Sequence, residues 1–318
     1  VIEEISVARI YTMGEILVEI MRDKVDSPLN QEGIFYGPFP SGAPAIFIST
    51  VAQLNHEAKI WGGVAEDKFG ELLLERLVSD GVDCSDITIS GNGATAVAFV
   101  SYASDGSREF IYHIDGTPAG SVTFNERGQT APDYFHVMGC SLMVNDSMLS
   151  NICRAVTWAS DGGAKISFDP NIRPELLGTR DLLDVTGTII ENTSVFLPGV
   201  DELLMFSSAV TVEEAVEELF TKYPKMEIIH LKQGKRGSTI FTREKKITIP
   251  IYPIEKVRNI VDPTGAGDSF DAAFLCGIAD GKSLQEAGNY AAKAGAINST
   301  VFGPMGGDMK MIKQDFFM

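Results

Sequence analysis

Apolar positions along the chain fall into two textures. In the first third, short alternating runs predict strands at residues 9–13 and 16–20, on either side of Gly14. Residues 97–102 and 110–113 predict a hairpin closed by Ser104-Asp105-Gly106-Ser107. Between these, Phe69, Leu72, Leu73 and Leu77 recur at helical spacing and predict a helix over residues 69–79, with Gly81 as its C-cap. From about residue 130 the texture changes. Apolar runs at 135–138, 166–168, 195–197 and 228–231 are each followed by Gly, Pro, Asp or Asn and then by an amphipathic stretch. Thr211-x-x-Glu214 and Ser283-x-x-Glu286 have the form of capping boxes that open helices. Repeated strand–turn–helix units imply an α/β fold, a mostly parallel sheet covered on both faces. Ligands bind such sheets beyond the carboxyl ends of the strands. The residues expected there are Gly139, 169–173, 198–202 and 232–237.

Composition narrows the classes. The 318 residues are 44% hydrophobic, enough for one large α/β domain with a small appendage, and show no repeat or low-complexity linker. Lys and Arg number 26 against 43 Asp and Glu, a net charge of −17. That charge repels phosphodiester backbones and anionic lipids, so neither nucleic acid nor membrane is an expected partner. The four cysteines form no C-x-x-C pair and have no neighbouring His at zinc spacing. Reduced thiols in the cytoplasm are the simplest account. No run approaches the ~18 apolar residues of a membrane span, and no secretory leader is expected.

The chemistry concentrates in Asp262-Pro263-Thr264-Gly265-Ala266-Gly267-Asp268, which precedes an apolar helix-forming run. Small residues let the backbone turn tightly and present successive N–H groups. These groups open a helix, whose N-terminus carries partial positive charge and unpaired donors. Such a site can receive a phosphate or a phosphoryl group in transfer. A carboxylate at its mouth, Asp268, can take the proton of an attacking hydroxyl.

The segment DPTGAGDSFDAAF resembles the C-terminal signature of the ribokinase/PfkB carbohydrate kinases. Four further stretches in the family's order resemble it too: Gly62 to Leu73, Gly81-Val82-Asp83, Asp169-Pro170-Asn171-Ile172-Arg173, and Leu231 to Gly237. The form DPN-x-R-P is closest to 2-keto-3-deoxygluconate kinases and fructokinases. The resemblance implies a Rossmann-like ribokinase fold with a β-sheet lid. It places the α/β core at 1–14, 41–93 and 116–318, and the lid at 15–40 and 94–115. It implies ATP-dependent phosphorylation of a hydroxyl on a small sugar or sugar acid. Asp268 is then the base, and Gly265, Ala266 and Gly267 are the anion hole. Lys232, Gly234, Gly237 and Thr264 line the nucleotide. Gly42, Glu19, Tyr112, Asn171 and Arg173 meet the substrate. Glu202 helps place Mg2+ through water, Asp262 stands where a monovalent cation such as K+ binds, and the lid sheets pair as a homodimer. The chain also departs from the pattern. Ser41 replaces a Gly, Ile46 and Gly199 replace Asn residues, and 110–113 lacks the Arg of sugar-acid kinases. These departures keep two other readings open: a non-catalytic sugar or nucleotide sensor, and a kinase for a nucleoside-like alcohol.

Overall fold

Strands that read as unbroken apolar runs need cover on both faces, and their burial shows that they have it. The computed structural model describes residues 7–105, 107–256 and 258–313. In chain order its strands are β1 (Arg9–Met13), β2 (Leu17–Arg22), β3 (Phe35–Ser41), β4 (Glu57–Ala65), β5 (Ile87–Ser90), β6 (Val97–Tyr102), β7 (Arg108–His113), β8 (Tyr134–Met138), β9 (Lys165–Asp169), β10 (Thr193–Phe196), β11 (Ile228–Lys232), β12 (Ser238–Phe241) and β13 (Lys246–Ile249). Among the described residues, nine form one sheet in the order β13-β12-β11-β10-β9-β8-β1-β4-β5. Pairing is parallel from β5 to β11, and β12 and β13 close that edge antiparallel.

Alternation sends successive side chains of this sheet into two separate cores. Ile10 joins Phe47, Phe274 and Ala291, so the helices Ala43–Gln53, Ala266–Ala279 and Leu284–Asn298 cover one face. Tyr11 and Met13 join Ile152, Ile189 and Leu219, so Asp146–Asp161, Leu182–Asn192 and Val212–Lys222 cover the other. The expected caps are present. Glu214 N–H donates to the Thr211 hydroxyl at 3.3 Å, and Ser283 and Glu286 form a reciprocal box. The helix expected at 69–79 runs Lys68–Asp80 and ends at Gly81 in the left-handed region, φ 98°.

The remaining strands form a second sheet, β3-β2-β6-β7. Strand β2 continues to Arg22, beyond the expected 16–20, because it pairs β3 up to Arg22–Phe35. Strand β7 starts at Arg108, opposite Tyr102, two residues ahead of the expected 110. Gly106 of the expected turn lies outside the described residues. Along β7 the half-buried Phe110 and Tyr112 share one face with Arg108, while Glu109, Ile111 and His113 are exposed on the other. Alternation thus turns His113 away from Tyr112.

Candidate active site

Gly265 is the N-cap of the helix Ala266–Ala279 and sits at φ 74°, a region that favours glycine. A Cβ there would stand 2.2 Å from the Pro304 carbonyl. The turn is held from behind. Asn298 Nδ2 donates to the carbonyls of Thr264 at 2.7 Å and Pro304 at 3.0 Å. Asp262 Oδ1 accepts from Thr264 N at 2.9 Å and Thr264 Oγ1 at 2.5 Å, and Oδ2 accepts from Gly303 N at 3.0 Å. Two residues on, Gly267 faces open space, with nothing within 4 Å of a notional Cβ. Ala266 N–H closes the turn by donating to the Pro263 carbonyl at 3.2 Å, which leaves the Gly267 N–H as a first-turn donor beside a Cα with nothing to block approach.

Two clefts meet at this turn. Thr264, Gly265 and Asp268 line one, together with Leu17, Glu19, Ala98, Phe110 and Tyr112 of the small sheet. Pro263, Ala266 and Gly267 line the other, a cleft of about 650 Å³ that also runs past Gly234, Gly237 and Phe270. The turn is the partition, with Gly265 and Asp268 on one side and Ala266 and Gly267 on the other.

Burial and the nearby Asp169 push the pKa of Asp268 up to about 6, against the pull of Lys232, Arg173 and Arg108. Asn171 Nδ2 donates to Asp268 Oδ1 at 3.4 Å. Glu19 is raised to about 7, chiefly by burial, although it accepts the Ser41 hydroxyl at 2.8 Å. Its other oxygen, Oε1, is buried without a hydrogen-bond partner. Glu15 accepts from the Ser141 hydroxyl at 2.5 Å and the Cys140 thiol at 3.3 Å, and burial raises its pKa as well.

The structure gathers Asp268, Gly265, Gly42, Glu19, Tyr112 and Arg173 around the first cleft, with Asn171 beside Asp268. Ala266, Gly267, Lys232, Gly234 and Gly237 border the second. Thr264, expected with the nucleotide, lines the first cleft instead, its hydroxyl directed at Asp262 and the Tyr102 hydroxyl. Lys232 borders the second cleft, yet its ammonium is committed to Asp169 at 2.7 Å and Asp271 at 2.9 Å. Glu202 accepts from Ile172 N at 2.9 Å and Gly199 N at 2.7 Å, so its carboxylate closes back on the N-cap of its own helix. Among the described residues, no group of three or more His, Cys, Asp or Glu side chains is placed to hold a metal ion. A magnesium ion carried in by nucleotide phosphates keeps most of its waters and needs no such group.

Sequence reasoning missed Arg108, Glu15 and Cys140, all of which line the first cleft, and noted Ser41 there only as a departure from the family pattern. Arg108 stands two and four residues from Phe110 and Tyr112 on an alternating strand, and that spacing carried the signal.

The description "pfkB family carbohydrate kinase" matches residues 10–310. Fructokinase-1 of Oryza sativa subsp. japonica is 28% identical over 311 residues, covering 92% of this chain and 91% of that protein. The "putative Ribokinase II" from E. coli, solved in complex with ATP and Mg2+, superposes with a TM-score of 0.87 at 35% identity, over 96% of this chain and 98% of its own. A Vibrio cholerae O395 fructokinase double mutant, bound to fructose, ADP and potassium ion, superposes with a TM-score of 0.81 at 20% identity, over 96% of each chain. The last likeness speaks to the fold alone. With a family match that spans nearly the whole length, this chain belongs to the pfkB family of carbohydrate kinases and is a sugar kinase.

Proposed function

We propose that the protein moves the terminal phosphoryl group of ATP to a hydroxyl of a small sugar or sugar acid, with Asp268 as general base. One observation carries this reading: the Gly265–Gly267 turn and the Asp268 carboxylate stand where the two clefts meet. A phosphoryl donor in the larger cleft and an alcohol in the smaller one would face each other across that turn. The Gly265–Gly267 turn, through the Gly267 N–H above all, then stabilises the charge that develops on the phosphoryl oxygens. Asp268 takes the alcohol proton as the new bond forms. Gly234 and Gly237 would line the nucleotide, and Glu202 would meet, through water, a magnesium ion held by its phosphates, whose charge would offset theirs. Asp262 already accepts three protein hydrogen bonds at 3.0 Å or less, so it would favour a nearby monovalent cation such as K+ mainly by its charge. The small sheet, residues 15–40 and 94–115, acts as a lid that excludes water from the acceptor site.

Asp268→Asn should lower phosphoryl transfer by at least about a hundredfold, while calorimetry finds ATP binding intact. Turnover near the wild-type rate would remove Asp268 from the mechanism.

For the acceptor, two guanidinium groups, Arg108 and Arg173, line the sugar-side cleft with Tyr112. Paired arginines suit a carboxylate, which favours a sugar acid such as 2-keto-3-deoxygluconate over fructose. A coupled ADP assay over sugar acids, ketohexoses and nucleosides decides the class. Faster turnover of fructose than of any acid would overturn the preference. Ile46, buried at 4% exposure where a polar contact is expected, gives the cleft an apolar wall. That wall is what favours a nucleoside-like alcohol as acceptor, or a sensor without turnover, and no ADP above the blank across the panel would select the sensor. On the outer face of the small sheet Ile111 is 43% exposed, a surface that suits a second copy of the chain.

A further inference from the structure

Beneath the candidate active site lies a cluster of charge that substrate binding does not explain. Lys232 Nζ stands between Asp169 Oδ2, at 2.7 Å, and Asp271 Oδ2, at 2.9 Å. Asp169 is 3% exposed and Asp271 is fully buried, with its Oδ1 lacking any hydrogen-bond partner. Asp271 lies one helical turn after Asp268. The other oxygen of Asp169, Oδ1, accepts from the backbone N–H of Asn171 at 3.0 Å. Asn171 has φ 39°, a left-handed conformation that few residues other than glycine adopt. It extends its side-chain amide to Asp268 Oδ1 at 3.4 Å. A continuous chain of contacts thus runs from Asp271 through Lys232, Asp169 and Asn171 to Asp268.

Buried ion pairs of this kind are weak stabilisers, since desolvation cancels most of their attraction. Apolar side chains would fill the same space at least as well. What they could not do is place a fixed cation beneath a carboxylate that must stay ionised, or hold Asn171 in its left-handed turn.

We propose that Lys232, clamped between Asp169 and Asp271, is a positioning residue for the Asp268 carboxylate, acting through Asp169 and Asn171. The proposal rests on Asp268 being the base, as argued above. Lys232 does this in two ways. It fixes Asp169, whose free oxygen sets the Asn171 turn and thereby aims the amide. Its positive charge also favours the ionised form of Asp268. The charged and titratable groups around Asp268 include Asp169 and Arg173 at the end of β9, Lys232 from β11, Arg108 and Tyr112 from β7, Glu19 from β2, Glu15 just ahead of it, and Cys140. Of these, Lys232, Arg173 and Arg108 favour the charge. Lys232 alone among the three is bound to the strand-end carboxylate that orients Asn171.

The test compares Lys232→Met with wild type in kcat, KM and the pH dependence of kcat/KM, using the best acceptor from the panel. Loss of the cation should lower kcat at least tenfold at pH 7. It should also move the acid limb of kcat/KM upward by at least half a pH unit. The KM for ATP should change less than threefold. An unmoved limb, or a loss carried mainly in the KM for ATP, would overturn the proposal. Should Lys232→Met fail to fold, the double variant Lys232→Met/Asp271→Leu removes the ammonium together with the buried carboxyl it pairs with, and is held to the same outcomes. Asp268→Asn is run in parallel. If it is inactive while the Lys232 limb stays put, the positioning role alone falls; if it is fully active, the base assignment falls and takes this proposal with it.

Discussion

Gly265 and Gly267 stand two residues apart and answer to different constraints. Gly265 has a positive φ and a carbonyl 2.2 Å from its notional Cβ. Gly265→Ala should therefore cost about 1–3 kcal/mol or more in stability, read by chemical denaturation. Gly267 is helical and faces empty space. By helix propensity alone, Gly267→Ala should leave the fold intact or stabilise it by up to about 1 kcal/mol. Yet its methyl would occupy the proposed path of the phosphoryl group, so turnover should fall at least tenfold with no drop in Tm. Full activity in that variant would place the phosphoryl elsewhere. The same site dictates a pH dependence. A base must be ionised to accept a proton, and burial has raised Asp268 to about 6. Activity should therefore decline as pH falls through about 6, and Asp268→Glu should move that limb. A flat profile down to pH 4.5 would contradict the role.

At the scale of elements, Asp67 connects the two sheets. Its carboxylate caps the helix Lys68–Asp80, accepting from Phe69 N at 3.1 Å and Gly70 N at 2.8 Å. It also accepts from Thr95 N at 2.8 Å and Thr95 Oγ1 at 2.7 Å, just ahead of β6. Burial works against its charge, but the hydrogen bonds from Thr95, Gly70 and Phe69 prevail and hold its pKa below the ordinary carboxylate value. The sign follows: its stabilisation is full above about pH 4 and is lost as pH falls through the depressed native value. Asp67→Ala should cost about 2 kcal/mol at pH 7, the upper end for an N-cap, and progressively less as pH falls through the depressed native value. A cost independent of pH would show that the charge is not what caps.

Across the whole molecule, aromatic side chains clasp the small sheet to the large domain. Phe302 packs edge-on against Phe39 at 5.3 Å and Tyr36 at 5.9 Å, both from β3. Tyr102 of β6 brings its hydroxyl to Thr264, beside the Gly265–Gly267 turn. If the small sheet is a lid, loosening this clasp should admit water. Phe302→Ala should then raise ATP hydrolysis without acceptor relative to transfer by several-fold, measured as ADP released per sugar phosphate formed. An unchanged ratio would deny the sheet that role.

Periodicity in the chain was enough for the parallel strands and the two capped helices at Thr211 and Ser283, because burial on two faces and capping are local demands. The run from Asp262 to Asp268 was legible for the same reason: a tight turn, a helix N-terminus and a carboxylate are all written within seven residues. Strand β3 was not legible, since the glycine and prolines of FYGPFPS erase the strand pattern and only pairing with β2 makes it one. Nor were the direction of the Lys232 ammonium, whose partners lie 63 and 39 residues away, or the side of the turn on which Thr264 falls. Such side chains are directed by charges and donors that meet only when distant strands align, and no local spacing encodes that meeting.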